Sequence, residues 1–166
     1  MLTIDKSKLI EILQHTVDAE NMMHYCLSHL AHLIKNGRIR KKMNEFSELA
    51  KTNKEFLIEQ LNNLGITSYL PENRCRFCNV KAESFSLLGS INLALEIIDI
   101  EKKLYKDLLK LYNNTEAKGK INQILDTKMS QKTFLKNEKK FASQAEYKLS
   151  FIDSYCLAGI VSKLWK

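Results

Sequence analysis

The sequence predicts an all-α protein: an antiparallel four-helix bundle with an additional C-terminal helix. Three observations predict it. Apolar residues recur at spacings of three and four along four long segments, the period of a helix with one buried stripe. The 166 residues include one proline and five glycines, too little punctuation for a sandwich or barrel. Two of the three breaks, Asn36-Gly37 and Asn113-Asn114, are short, and long helices joined so closely pack antiparallel.

Helix one is predicted over residues 5–35, with Leu9, Ile12, Leu13, Thr16, Met23, Leu27, Leu30 and Ile34 inward. Asn36-Gly37 is expected to end it, glycine taking the left-handed conformation of a helix stop. Helix two follows over 39–64 on the row Ile39, Met43, Phe46, Ala50, Asn53, Leu57, Gln60 and Leu64, with Gly65 as its stop. A long loop, residues 66–83, holds Pro71 and the run RCRFC. Helix three is predicted over 86–112, with Leu87, Ile91, Ala94, Ile98, Glu101, Tyr105, Leu108 and Tyr112 inward. Helix four starts near Thr115, the expected N-cap, with Glu116 in its first turn. Its row is Ile121, Ile124, Leu125, Lys128, Gln131, Leu135, Glu138 and Ala142.

Residues 146–166 form a further amphipathic pattern: Phe151, Ile152, Tyr155, Cys156, Ile160, Leu164 and Trp165. A continuous rod to the C-terminus would far outrun the other helices, which predicts a bend near residues 143–150. The expected organisation is one domain: a bundle over 1–142, with 143–166 packed on the bundle or on a partner.

The formal net charge of +7 is compatible with nucleic acid or an acidic surface, and equally with solvated lysine-rich faces. No segment approaches the ~20 apolar residues that span a bilayer. The N-terminus carries Asp5 and Glu11 and no signal-peptide core, so the expected location is the cytoplasm. Four cysteines in a chain of this size do not suggest a disulfide scaffold, and Cys26 and Cys156 read as small buried hydrophobes. There is no glycine-rich phosphate loop, nucleophile elbow, helix-turn-helix or convincing triad.

Residues 50–66, AKTNKEFLIEQLNNLGI, resemble the second ligand helix of the ferritin-like superfamily, in particular the rubrerythrin-type helix pairs. Residues 94–112, ALEIIDIEKKLYKDLLKLY, look like its third helix, with its Glu and a tyrosine near Tyr105, and residues 13–31 like its first, with Glu20 at the ligand position. The resemblance is one of pattern and spacing and covers most of residues 5–142. It implies a site for two metals, held by a Glu from each of two helices and a Glu-x-x-His from each of the others. The i, i+3 spacing puts an oxygen and a nitrogen on one helix face, and such cations need those ligands.

This sequence departs from that pattern nearly everywhere. Glu20 matches. The second-helix pair is Asn53 and Phe56, the third-helix position is Ile98 with Glu101 one turn later, and the fourth-helix pair is Lys128 and Gln131. On this register no di-iron centre can form. Glu20 lies 17 residues before Gly37 and Asn53 16 after it; Glu101 lies 13 before Asn114 and Lys128 13 after Thr115. The four are therefore expected at one level, with Lys128 supplying the missing positive charge and Glu101 and Glu20 as its partners. In a slipped register Glu55, Glu59, Glu96 and Glu138 would join Glu20 and His24, but no Glu-x-x-His occurs in the chain.

Of the four histidines, His24, His29 and His32 point off the helix-one stripe, and His29 with His32 forms a candidate surface metal pair. Cys75-x-x-Cys78, flanked by Arg74 and Arg76, is half of a tetrahedral zinc site, or a disulfide, a redox pair, or two inert thiols. Arg38, Arg40, Lys41 and Lys42 form a candidate anion-binding cluster at a helix start, where the dipole disfavours cations. A second cluster is Lys132, Lys136, Lys139 and Lys140. The C-terminal segment is expected to cover the bundle, form a homo-oligomer or meet a protein partner, with a membrane surface as the remaining option. The expected function is a non-catalytic binding or structural module without a di-iron centre. The alternatives are a metal-binding oxidoreductase with altered ligands and a basic nucleic-acid-associated protein.

Overall fold

The computed structural model describes the backbone of residues 6–71 and 87–150, with side chains through residue 144. Four helices make up the described fold: α1 (Lys6–Leu33), α2 (Gly37–Asn63), α3 (Leu87–Leu111) and α4 (Thr115–Ser150). α1 packs along α2 and α3, and α3 packs along α4. No helix among the described residues is long and apolar enough to cross a membrane.

Two apolar clusters fix the directions of the helices. One joins Met23, Leu27, Leu30 and Ile34 of α1, Met43, Phe46 and Ala50 of α2, Ile91, Ala94 and Ile98 of α3, and Leu135 and Ala142 of α4. The other joins Leu9, Leu13 and Val17 of α1, Leu57 and Leu61 of α2, Tyr105 and Leu108 of α3, and Ile121 and Ile124 of α4. The end of α1 thus meets the start of α2, the start of α3 and the end of α4. α1 and α4 run one way and α2 and α3 the other, so the chain must cross the length of the bundle between α2 and α3. Burying the four stripes stabilises helices that one-stripe amphipathicity would not hold alone.

Four helix ends differ from expectation or sharpen it. Gly37 is not the stop of α1: it opens α2, and Asn36 caps that helix by accepting from the Arg38 and Ile39 backbone N–H groups at 3.0 and 3.2 Å. The carbonyls just past the end of α1 are met by Arg40, whose Nε donates to the Ile34 oxygen at 3.0 Å and whose Nη2 donates to that of Lys35 at 3.1 Å. The cap of α4 is Asn114, not Thr115; its Oδ1 accepts from Glu116 N at 2.8 Å. An amide side chain caps as well as a hydroxyl does, so either residue fitted the sequence signal. Gly65 does close α2, at φ 91°, and Gly65 N and Ile66 N donate to the Asn62 and Leu61 carbonyls as in a Schellman stop.

α4 runs without a break through residues 143–150, where a bend was expected. The expected C-terminal helix beyond it, residues 151–166 with Cys156, lies outside the described residues.

Candidate functional site

Between the two apolar clusters lies a polar one. Glu20 on α1, Asn53 on α2, Glu101 and Tyr105 on α3, and Lys128 and Gln131 on α4 are all buried, five of them with no exposed surface at all and Asn53 at 5 %. Each falls on the inward row of its helix, so the same periodicity that builds the core delivers them to its centre.

Glu20 is the hub. Its Oε1 accepts from Tyr105 Oη at 2.6 Å and from Asn53 Nδ2 at 3.2 Å, and its Oε2 accepts from Lys128 Nζ at 2.8 Å. The same ammonium lies 2.8 Å from Glu101 Oε2. Lys128 therefore bridges two carboxylates from two different helices.

Glu101 is less well served. Neither of its oxygens accepts a well-directed hydrogen bond, and both polar atoms of the Gln131 amide are equally without one among the described residues. Burial, then repulsion from Glu20, pushes the Glu101 carboxyl well above its ordinary range, and the nearby ammonium only partly offsets them. Burial works to lower Lys128, but Glu101 and Glu20 together outweigh it and the net displacement is upward. Burial beside Glu20 likewise raises the Tyr105 phenol, so it stays a donor. Cys26 is pushed up to about 12 by burial and by the charge of Glu101, which leaves an unreactive thiol.

Of the seven positions carried over from the resemblance, Glu20, Asn53, Glu101, Lys128 and Gln131 are the buried polar ones. Ile98 packs in the apolar cluster one turn away, and Phe56 lies partly buried against the other. Tyr105 was not among them. The resemblance sets a tyrosine near it on the third helix, and it lies on the inward row one turn beyond Glu101, but an inward tyrosine reads equally as core. The slipped register is not what forms: Glu55, Glu59 and Glu96 are exposed.

His24 turns toward α2, its Nδ1 within 3.1 Å of the Ser47 carbonyl and 2.9 Å of the Ser47 hydroxyl, and so ties the first hairpin together. His32 Nδ1 lies 2.7 Å from the Ser28 carbonyl of its own helix. Beyond α2, Tyr69 donates to the Asp18 carboxylate, 2.9 Å from each oxygen. Among the described residues no group of three or more His, Cys, Asp or Glu is placed to hold a metal. Arg74, Cys75, Arg76 and Cys78 lie outside the described residues.

The basic cluster is divided. Arg40 is engaged at the end of α1, whereas Arg38, Lys41 and Lys42 line a cavity of about 670 Å³ between α2 and α4, together with Ile39, Phe134, Glu45 and Glu138. Lys42 pairs with Glu45 at 3.0 Å and lies over the Phe46 ring. Two carboxylates among three cations leave the cavity only weakly positive. Of the second cluster, Lys132 is paired with Asp99.

Compared with known proteins, the chain matches no family model, no curated protein and no solved structure.

Proposed function

We propose that this chain is a non-catalytic helical module of ferritin-like organisation, serving as a binding or structural element, in which the Lys128 ammonium takes the place of a central metal. One observation carries the reading: Nζ lies 2.8 Å from Glu20 and 2.8 Å from Glu101, with all three side chains fully buried. An ammonium in that position fills the space and meets the charge that a bridging cation would otherwise supply. The chain path supports it too, since parallel α2 and α3 joined by a single long crossover is the arrangement of ferritin-like bundles.

Metal analysis of the full chain, purified without chelator, tests the reading. We expect no stoichiometric iron. Two irons per chain would overturn it in favour of a metal-binding oxidoreductase with altered ligands. About one zinc per one or two chains would instead assign Cys75 and Cys78 as a zinc knuckle. The partner-facing element is proposed to be residues 151–166, in a homo-oligomer or a complex with another protein; a monomeric mass in solution at all concentrations removes the homo-oligomer. Salt-dependent binding to duplex DNA would favour the nucleic-acid reading instead.

A further inference from the structure

We propose that the centre of the bundle is a proton-binding site: Glu101 carries a proton at neutral pH, so that the Glu20–Glu101–Lys128 cluster is electrically neutral. The charge count comes first. The cluster holds two acids and one base, each with no exposed surface. With all three ionised it carries one uncompensated negative charge in the core, which is strongly disfavoured. The other groups on the facing elements are the Cys26 thiol on α1, Asn53 on α2, Tyr105 on α3 and Gln131 on α4. None of them brings a positive charge.

The hydrogen bonds say which acid takes the proton. Glu20 accepts from Tyr105, Asn53 and Lys128, and donors converging on a carboxylate favour its ionised form. Glu101 has the ammonium against one oxygen, and its carboxyl lies within hydrogen-bonding reach of Glu20, which as a carboxylate can only accept. A carboxylic acid is donor and acceptor at once. A neutral Glu101 can therefore donate to the Glu20 carboxylate, which a second carboxylate cannot do. The upward displacement of the Glu101 carboxyl agrees with this placement.

The inference rests on the charge count and not on the ferritin-like reading, so iron in the purified protein would remove that reading while leaving the proton to be tested separately. The test is urea unfolding of the full chain and of its Glu101→Gln and Glu20→Gln variants from about pH 5 to about pH 9. Glu101→Gln mimics the neutral acid. Relative to that variant, the wild-type unfolding constant should rise with pH, by up to about tenfold per pH unit. Glu101→Gln should be the more stable of the two at the alkaline end. Glu20→Gln should weaken the fold across the range. Parallel profiles for wild type and Glu101→Gln would overturn the proposal.

A second measurement needs no variant. In wild type with ¹³C-labelled glutamate, one side-chain carboxyl should keep the chemical shift of the protonated acid at neutral pH. All glutamates at the ionised shift would overturn the proposal. So would a carboxyl resonance that moves only on adding a divalent cation such as Mn²⁺ or Zn²⁺, since a metal would then be the neutralising charge.

Discussion

Lys128 Nζ and Glu20 Oε2 lie 2.8 Å apart on α4 and α1, side chains fully buried, and the same nitrogen reaches Glu101 on α3. One ammonium thus ties three helices together at the level that divides the two apolar clusters. An ion pair buried this deeply gains little over well-packed hydrocarbon, but it is costly to break from one side, because an unpaired charge is left in the core.

Lys128→Met should therefore destabilise the protein by about 3–5 kcal/mol in urea unfolding. Lys136→Met, one exposed position on the same helix, should change little. Replacing Glu20, Glu101 and Lys128 together with apolar residues of similar volume should recover part of the loss. Recovery should be incomplete, because Tyr105 and Asn53 would lose their acceptor. An unaltered midpoint for Lys128→Met would show that the lysine is not held where the structure puts it.

Tyr105→Phe removes the 2.6 Å hydrogen bond to Glu20 and should cost about 1.5–3 kcal/mol, the range for bonds to charged groups. Tyr112 offers the control. It is partly buried, and its hydroxyl reaches Gln60 only at 3.5 Å. Tyr112→Phe should change the unfolding midpoint much less, and equal effects would argue against a special role for the buried phenol.

The helix ends give a sharper contrast. Asn114→Ala should cost about 1 kcal/mol by removing the α4 cap, whereas Thr115→Ala should stay within about 0.5 kcal/mol. Gly65→Ala forces a side chain to φ 91° and should cost about 1 kcal/mol or more, although nothing stands within 4 Å of the added methyl. The reverse order for Asn114 and Thr115 would return the cap to the threonine.

The pH dependence has a definite sign. Glu101, Tyr105 and Lys128 are all displaced upward, so the folded state holds each of these protons more tightly than the unfolded chain does. Groups of this kind stabilise the fold fully below their ordinary values and lose that contribution as pH rises. The loss from Glu101 begins above its ordinary 4.5, and the losses from Tyr105 and Lys128 begin above 10.0 and 10.5. Thermal midpoints in non-amine buffers should fall with increasing pH, most steeply at the alkaline end. A midpoint that rises from neutral to alkaline pH would contradict the assigned directions.

The four helices and the level of the polar cluster were legible because period and loop position determine both. Lys128 sits on an apolar row, where a lysine makes sense only with acids beside it, and Glu20 and Glu101 were the acids at that height. Less legible were positions one step off a single stripe. Val17, Leu61 and Ile97 are buried because a bundle helix touches two neighbours and its buried face is wider than one row. Tyr105 as a donor and Arg40 at the end of α1 could not be read, since both depend on which group across the gap accepts the hydrogen bond. The same holds for His24, which lies off the stripe of α1 yet meets Ser47 on α2.

A double-mutant cycle on Glu20→Gln and Lys128→Met tests most directly whether an internal ammonium neutralises the bundle centre. If Lys128 is the counter-charge, Lys128→Met strands Glu20, Glu20→Gln leaves the ammonium with Glu101 alone, and the double change removes the stranded charge, giving a coupling of about 2–3 kcal/mol between them. Additive losses, with coupling indistinguishable from zero, would mean that something other than this lysine balances Glu20.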